Sequence, residues 1–306
     1  MFSITNRDIQ KDIIAGVVIT SLIFASALYL PVIGFISVLF LPLPLCYYRY
    51  KLGRTSGEII LATSFTVMTI LAGAFSFDLV IFAELLILGF TLGEMMNLEL
   101  SIEKTVLYPC VTVIGSALAG ILLYSMFSHS NISSEVNAYI KQNLELTIDM
   151  YRQMGVPNET VRAFSDSLEH IQYMLVRMIP GITIMSVLFV TWFNLLMAKS
   201  LAKMKGFKYP DFGDLTLWKS PEYLVWASIA GCIILLIPGT SFKMFGLNVG
   251  IILILIYFFH GISIVSFYFE KKKFPRFLRW ILYGLIGIQQ LFSGAAGNCA
   301  HIHRQP

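Results

Sequence analysis

The sequence predicts an all-α fold, a polytopic transmembrane helical bundle of about eight or nine spans with an external amphipathic helical segment. Two observations predict this fold class. Charged residues make up only 13% of the 306 residues, against about 25% in soluble domains, and hydrophobic residues make up 57%. Apolar runs close to the length of about 20 residues that crosses a bilayer recur along the chain. An ordinary water-soluble globule is therefore excluded.

Residues 1–127 are predicted to form an N-terminal membrane bundle of five spans. The bundle opens with residues 13–48, which include no charged side chain and are long enough for a hairpin of two crossings. Pro31 and Gly34 lie where the chain would reverse. The other three spans are predicted over residues 58–75, 79–96 and 105–127.

Residues 128–170 are the long polar segment and are predicted to form two external amphipathic helices that lie on the membrane or over the bundle. Gly155 and Pro157 separate the two helices, and Asn158 is suited to cap the second. A solvated linker is the alternative. The apolar stripes follow helical spacing, with Val136, Ile140, Leu144, Ile148 and Tyr151 on the first helix and Val161, Phe164, Leu168 and Ile171 on the second.

Residues 171–306 are predicted to form a C-terminal membrane bundle of three to four spans. These spans cover residues 172–198, 223–237, 247–269 and 280–296. Proline lacks an N–H group and clashes with the preceding turn, so it should kink or break a membrane helix. The candidates for helix breaks along the chain are Pro31, Pro42, Pro44, Pro180 and Gly181.

The orientation of the bundle is predicted from its Lys and Arg clusters. These clusters cover residues 49–54, 199–208 and 271–279, and they follow the second, sixth and eighth predicted spans. All three then lie on one side, which the positive-inside rule makes the cytoplasmic side. The N-terminus is therefore expected in the cytoplasm, and the clusters are expected to face the anionic lipid of the bilayer. Nothing in the sequence predicts nucleic-acid binding.

The search for catalytic and metal-binding motifs gives no specific match. The sequence has no Walker, HExxH or GxSxG motif, so we expect no enzyme, no catalytic residue and no cofactor. His301 and His303 form a close pair near the C-terminus, which we interpret as incidental rather than as a metal site. The weaker alternative is a membrane-embedded enzyme that uses Glu84 and His260.

Polar residues within the spans are the best candidates for a ligand pocket, because ionisable groups in lipid are costly and usually face a cavity or a partner. Glu84 and Arg177 could pair, and such a pair could also be a helix–helix salt bridge with no ligand. His260 is expected to hydrogen-bond a neighbouring helix rather than relay protons. The full set of pocket candidates is Glu84, Arg177, His260, Gln289 and Asn194, the last two of which are also typical of interhelical hydrogen bonds.

Several of these features together resemble the YybS-like family of predicted bacterial membrane proteins. The resemblance implies a multi-pass protein of the bacterial cytoplasmic membrane. It also implies a distant similarity to the substrate-binding membrane subunits of energy-coupling vitamin transporters and to a rod-shape membrane protein. The tail after Gly294 departs from the acidic-basic tail of the family. The residues that carry the resemblance are Pro31, Gly34, Pro42, Pro44, the turn over 49–53, Arg177 before Pro180 and Gly181, Trp218, Pro221, Glu222 and Gly261.

Two functions are compatible with this sequence. The leading hypothesis is a transporter-like membrane subunit that binds or translocates a small solute, by itself or with an ATPase module, because its spans combine polar residues with proline interruptions. The alternative is a non-transporting cell-envelope scaffold that recruits other membrane proteins for wall growth, division or sporulation. Its support is the external amphipathic segment and the small-residue helix faces.

Overall fold

A computed structural model describes residues 6–73, 77–128, 132–206 and 209–275, with a few further positions between 277 and 285. These residues form eleven α-helices, one 3-10 turn and no strand. Six of the helices are long and apolar enough to cross a bilayer. The predicted all-α polytopic membrane fold is therefore confirmed.

Helix α1 (Asn6–Tyr29) is followed after one extended residue by α2 (Pro31–Phe40) and then by α3 (Pro42–Leu52). The returning chain runs antiparallel to α1. Near the reversal, Ser26 donates a hydrogen bond of 2.7 Å to Ser37, and at the other end Lys51 pairs with Asp12 at 2.6 Å. The second crossing is thus two short helices in place of the single span that the sequence predicts.

Helices α4 (Arg54–Ala72) and α5 (Phe77–Asn97) pack with α1 and α3 around the main apolar core. Phe24 and Phe82 meet edge to face within it, with ring centroids 4.9 Å apart. Gly89 of α5 lies so close to the backbone of Pro42 that a Cβ there would clash. The fully buried core members come from all four helices and the α2–α3 joint: Phe24, Leu41, Leu45, Ile60, Met68, Leu79 and Leu86.

Helix α6 (Ile102–Ser128) leads to the polar segment, which folds as α7 (Ile132–Gln153) and α8 (Asn158–Asp166) and continues into α9 (Leu168–Met204). The segment is helical rather than a solvated linker. Leu144 and Ile148 of α7 and Val161 of α8 are buried. Gln172 of α9 donates to the carbonyl of Asn137 at 3.1 Å, so α7 runs back along the start of α9.

The predicted seventh span is α10 (Tyr223–Leu236), which has only 14 residues. At 1.5 Å per residue it measures about 21 Å, which is shorter than the roughly 30 Å hydrocarbon core of a bilayer. Helix α11 (Thr240–Lys271) has 32 residues and begins earlier than the predicted eighth span. Most of the predicted last span, over 280–296, lies outside the described residues.

The described residues separate into two compact units. The first takes its residues from Met1–Phe212 and Val225–Leu255, and the second from Gly213–Leu224 and Ile256–Pro306. Helix α11 supplies residues to both. The predicted division into 1–127, 128–170 and 171–306 follows membrane topology rather than packing, and it stays a prediction.

Candidate functional site

The second crossing is interrupted at Leu41, where α2 ends and α3 begins. Pro42 and Pro44 have no N–H group, so the carbonyls of Val38 and Phe40 lose the donors that a continuous helix would provide. The N–H of Leu41 donates to the Val38 carbonyl at 3.2 Å in a tighter turn. A helix break is therefore present at Pro42, while Pro44 lies in the first turn of α3.

Asn194 of α9 reaches this interruption from a neighbouring span. Its Nδ2 donates to the carbonyl of Leu39 at 3.0 Å and to the carbonyl of Val190, in its own helix, at 2.8 Å. The side chain is fully buried, and its Oδ1 has no hydrogen-bond partner among the described residues. Asn194 thus joins α9 to the broken helix, as an interhelical amide is expected to do.

Arg49 and Glu94 form an ion pair between α3 and α5. The Arg49 side chain is only 4% exposed and the Glu94 side chain 28%. A Cβ on Gly93 would lie 2.8 Å from both the Arg49 side chain and the Cys46 carbonyl, and a Cβ on Gly57 would also clash with Arg49. The two glycines therefore make room for the aliphatic part of a side chain that the sequence pattern assigned to an exposed basic turn.

Glu84 lies on α5 and faces α6. Its Oε2 accepts a hydrogen bond of 2.6 Å from the hydroxyl of Ser116. Ser116 shares that hydroxyl with the carbonyls of Thr112 and Val113 in its own helix. Among the described residues, Glu84 and Arg177 do not form the ion pair that the sequence suggested.

Arg177 lies in α9 just before Pro180. Its guanidinium stacks over the ring of Tyr173, 3.5 Å from the ring centroid, and donates to the Tyr173 carbonyl at 3.3 Å. Its own carbonyl accepts from Asn248 Nδ2 at 2.9 Å, while the N–H of Gly181 donates to Asn248 Oδ1 at 2.5 Å. In an uninterrupted helix that N–H and that carbonyl would pair with each other.

Asn248 of α11 therefore inserts its amide into the hydrogen-bond ladder of α9. A Cβ on Gly181 would lie 2.6 Å from Asn248 Oδ1 and 2.8 Å from Asn248 Cα, so only glycine allows this approach. Helix α9 continues through Pro180 and Gly181 without a break. The structure therefore has no break at these two residues, because the inserted amide satisfies the groups that the proline disturbs, and the kink that was the other expectation stays a prediction.

His260 belongs to the second compact unit. Its Nδ1 lies 3.0 Å from the hydroxyl of Ser220, and its ring meets the Trp218 ring edge to face at 6.2 Å. Ser263, one turn further along α11, donates to the carbonyls of Leu215, Thr216 and Trp218. These contacts tie the loop before α10 to α11.

The structure thus gives the four described pocket candidates separate surroundings. Glu84 contacts α6, Asn194 contacts the α2–α3 joint, Arg177 stacks within α9, and His260 contacts the loop before α10. Gln289, like His301 and His303, lies outside the described residues. The idea of one shared pocket therefore has no support from the contacts of the four described candidates.

Sequence reasoning missed Ser116, Asn248 and the buried character of Arg49. A signal for Asn248 was present, because an amide in a predicted span commonly hydrogen-bonds a neighbouring helix. A signal for Arg49 was also present in Gly89, Gly93 and Glu94 on one helix. Small residues one turn apart allow a close approach, and the carboxylate beside them provides a counter-charge.

Comparison with known proteins agrees with this architecture. A family model described as "Predicted membrane protein (DUF2232)" matches residues 18–296. The "Uncharacterized protein YybS" of Bacillus subtilis (strain 168) is 24% identical over 282 residues, which cover 87% of each chain. No solved structure matches the chain. The resemblance to YybS-like membrane proteins is confirmed.

Proposed function

This chain belongs to the family of predicted membrane proteins described as DUF2232, and we propose that it is a cell-envelope scaffold that binds partner membrane proteins through α7. One observation carries the proposal. Tyr139, Leu146 and Met150 follow one another along a single face of α7, here named the α7 stripe, and are between 47% and 59% exposed.

The α7 stripe is a second apolar face on a helix whose first apolar face is already occupied. Leu144 and Ile148 are buried on the opposite side, where α7 packs against α8 and α9. Exposed apolar patches on such helices commonly mark interaction sites. Methionine side chains suit this role because they adapt to different partner surfaces.

The contacts of the polar span residues also favour a scaffold over a solute pocket. Glu84, Arg177 and His260 each make a hydrogen bond in a different local contact. These three contacts have no residue in common, so they do not support a solute pocket built from these side chains.

The test is site-specific photocrosslinking in native membranes of the host cell. A crosslinker in place of Met150 should capture a defined set of membrane proteins, and one in place of Ala138, which is exposed on a different face of α7, should not. The double substitution Leu146→Glu with Met150→Glu should abolish copurification of that set, because it charges the stripe. Ala138→Glu, which adds a charge outside the stripe, should leave copurification unchanged. An unchanged partner set in the double variant would refute the proposal, provided that helicity and thermal unfolding match the parent protein.

A transporter-like subunit that binds a small solute is the second candidate, and the α2–α3 interruption favours it. Interrupted membrane helices commonly form solute sites, and Asn194 places a buried amide oxygen beside this one. A thermal shift with a member of a vitamin and metabolite panel, lost in Asn194→Leu, would support this function. Copurification of an ATPase module would point to energy coupling.

A further inference from the structure

An apolar groove of about 510 Å³ opens between α1, the α2–α3 crossing and the end of α9. Its volume falls within the range of about 300–1,000 Å³ of small-molecule pockets. Ile19 and Ile23 line it from α1, Leu43 and Pro44 from α3, and Leu201 from α9. The groove is separate from the α7 stripe, so inferences about it do not depend on the scaffold proposal.

The charge of the groove lies at one end. Lys205, the residue that caps the C-terminus of α9, is exposed and is the one cation in the lining, which contains no acidic residue. Lys51 and Arg49, on the neighbouring α3, are paired with Asp12 and Glu94. Lys205 takes part in no ion pair within the part of the chain that the structure describes.

The length of the groove matches one leaflet of a bilayer. Its lining runs along the second crossing from Ser37 to Tyr48. This distance is about 16 Å at 1.5 Å per residue, while half of the hydrocarbon core measures about 15 Å. Asn194 lies level with Leu39, and Lys205 lies three turns further along α9, so the lysine stands at the Tyr48 end.

We propose that this groove is a binding site for one anionic phospholipid, with an acyl chain along α1 and α3 and the phosphate beside Lys205. The apolar walls exclude a hydrated solute and accept a hydrocarbon chain. A lysine at the level of the headgroups adds attraction for an anionic lipid. A zwitterionic lipid of the same chain length binds more weakly, because its headgroup carries no net charge.

The test is native mass spectrometry of the full chain in detergent, titrated with phosphatidylglycerol or with phosphatidylcholine of identical acyl chains. We expect one phosphatidylglycerol per chain at an affinity about fivefold higher than that of phosphatidylcholine. Lys205→Gln should remove this preference. The matched variant Lys203→Gln, two residues away and outside the lining, should keep it.

A second pair of variants tests the groove itself. Ile19→Trp fills it and should reduce retention of both lipids at least fivefold, whereas Leu22→Trp, on the exposed face of α1 outside the lining, should not. Equal retention of the two lipids, or an equal loss in Lys203→Gln and Lys205→Gln, would overturn the proposal. So would a dimer that retains no phospholipid and dissociates in Ile19→Trp, because a second copy would then occupy the groove. Unchanged helicity of each variant establishes that it is folded.

Discussion

Prolines disturb the backbone hydrogen bonds of membrane helices in two regions of the molecule, and the two helices respond differently. The α2–α3 crossing carries Pro42 and Pro44, and α9 carries Pro180. At each region an asparagine from another span hydrogen-bonds the disturbed backbone, Asn194 in the first and Asn248 in the second. Nevertheless the first helix ends and restarts, while the second continues.

The difference lies in what each amide offers. Asn248 supplies an acceptor to the Gly181 N–H and a donor to the Arg177 carbonyl, so both groups of one ladder position stay satisfied. Asn194 supplies only a donor, to the Leu39 carbonyl, and two prolines stand close together there. The neighbouring side chain, as much as the proline, therefore decides whether a membrane helix is broken.

The largest expected effect on stability comes from the Arg49–Glu94 ion pair. This pair joins α3, the second helix of the α2–α3 crossing, to α5. Glu94→Gln leaves Arg49 buried without its counter-charge and should lower the free energy of unfolding by about 3 kcal/mol. SDS titration of the protein in mixed micelles measures this. The control is Glu58→Gln at the exposed Arg54–Glu58 pair, where about 0.5 kcal/mol or less is expected. Equal losses at both sites would show that the first region is not anchored by the buried pair.

The second largest effect is expected from the Asn194 amide at the α2–α3 crossing. Asn194→Leu leaves the buried Leu39 carbonyl without its donor and should cost about 2 kcal/mol in the same titration. Asn143→Leu is the control, because the exposed Asn143 makes a similar bond of 2.8 Å to a carbonyl of its own helix. If Asn194→Leu lowers the free energy of unfolding no more than the control does, the Asn194 amide does not stabilise the α2–α3 crossing.

At the second region the close approach itself can be tested. Gly181→Ala places a methyl group against Asn248 and should cost about 1.5 kcal/mol by forcing α9 and α11 apart. Gly250→Ala on α11 meets no atom within 4 Å and should be neutral or slightly stabilising. Equal thermal unfolding temperatures for the two alanine variants would contradict a close approach of α9 and α11 at Gly181.

The smallest effect is a coupling energy. Asn248→Leu should cost about 1 kcal/mol while Pro180 is present, because the Gly181 N–H and Arg177 carbonyl lose their partners. In a Pro180→Ala background the helix can close its own ladder, so the same substitution should cost less than about 0.5 kcal/mol. A double-mutant cycle measures the difference. Additive effects would mean that Asn248 does not compensate for the proline.

The apolar runs predicted most of the fold. Spans such as 79–96 and 105–127 coincide closely with α5 and α6, because burial in lipid requires an apolar run of defined length. The stripes of 128–170 predicted α7 and α8 for a similar reason, since each helix must bury one face. The break at Pro42 followed from a rule that acts within four residues.

The candidate site was much less predictable. The compensation at Pro180 comes from Asn248, which is 67 residues away in the sequence, and no local rule reports it. The Glu84–Arg177 pair was not predictable because the rotation of each helix about its axis is set by its neighbours. In the structure Glu84 faces Ser116 instead. Arg49 was assigned to a turn because charge usually marks a span end, whereas Gly57 and Gly93 leave room to bury it.

The length of helix α9 also has a consequence. Its 37 residues extend about 55 Å, so this single helix is roughly 25 Å longer than the hydrocarbon layer it crosses. It is held near Asn194 at the α2–α3 joint and near Gly181 by Asn248, with α7 and α8 packed on one end and Lys203 at the other. Both attachments lie within one continuous helix, so α9 links the end packed against α7 and α8 to the Lys203 end without an intervening loop.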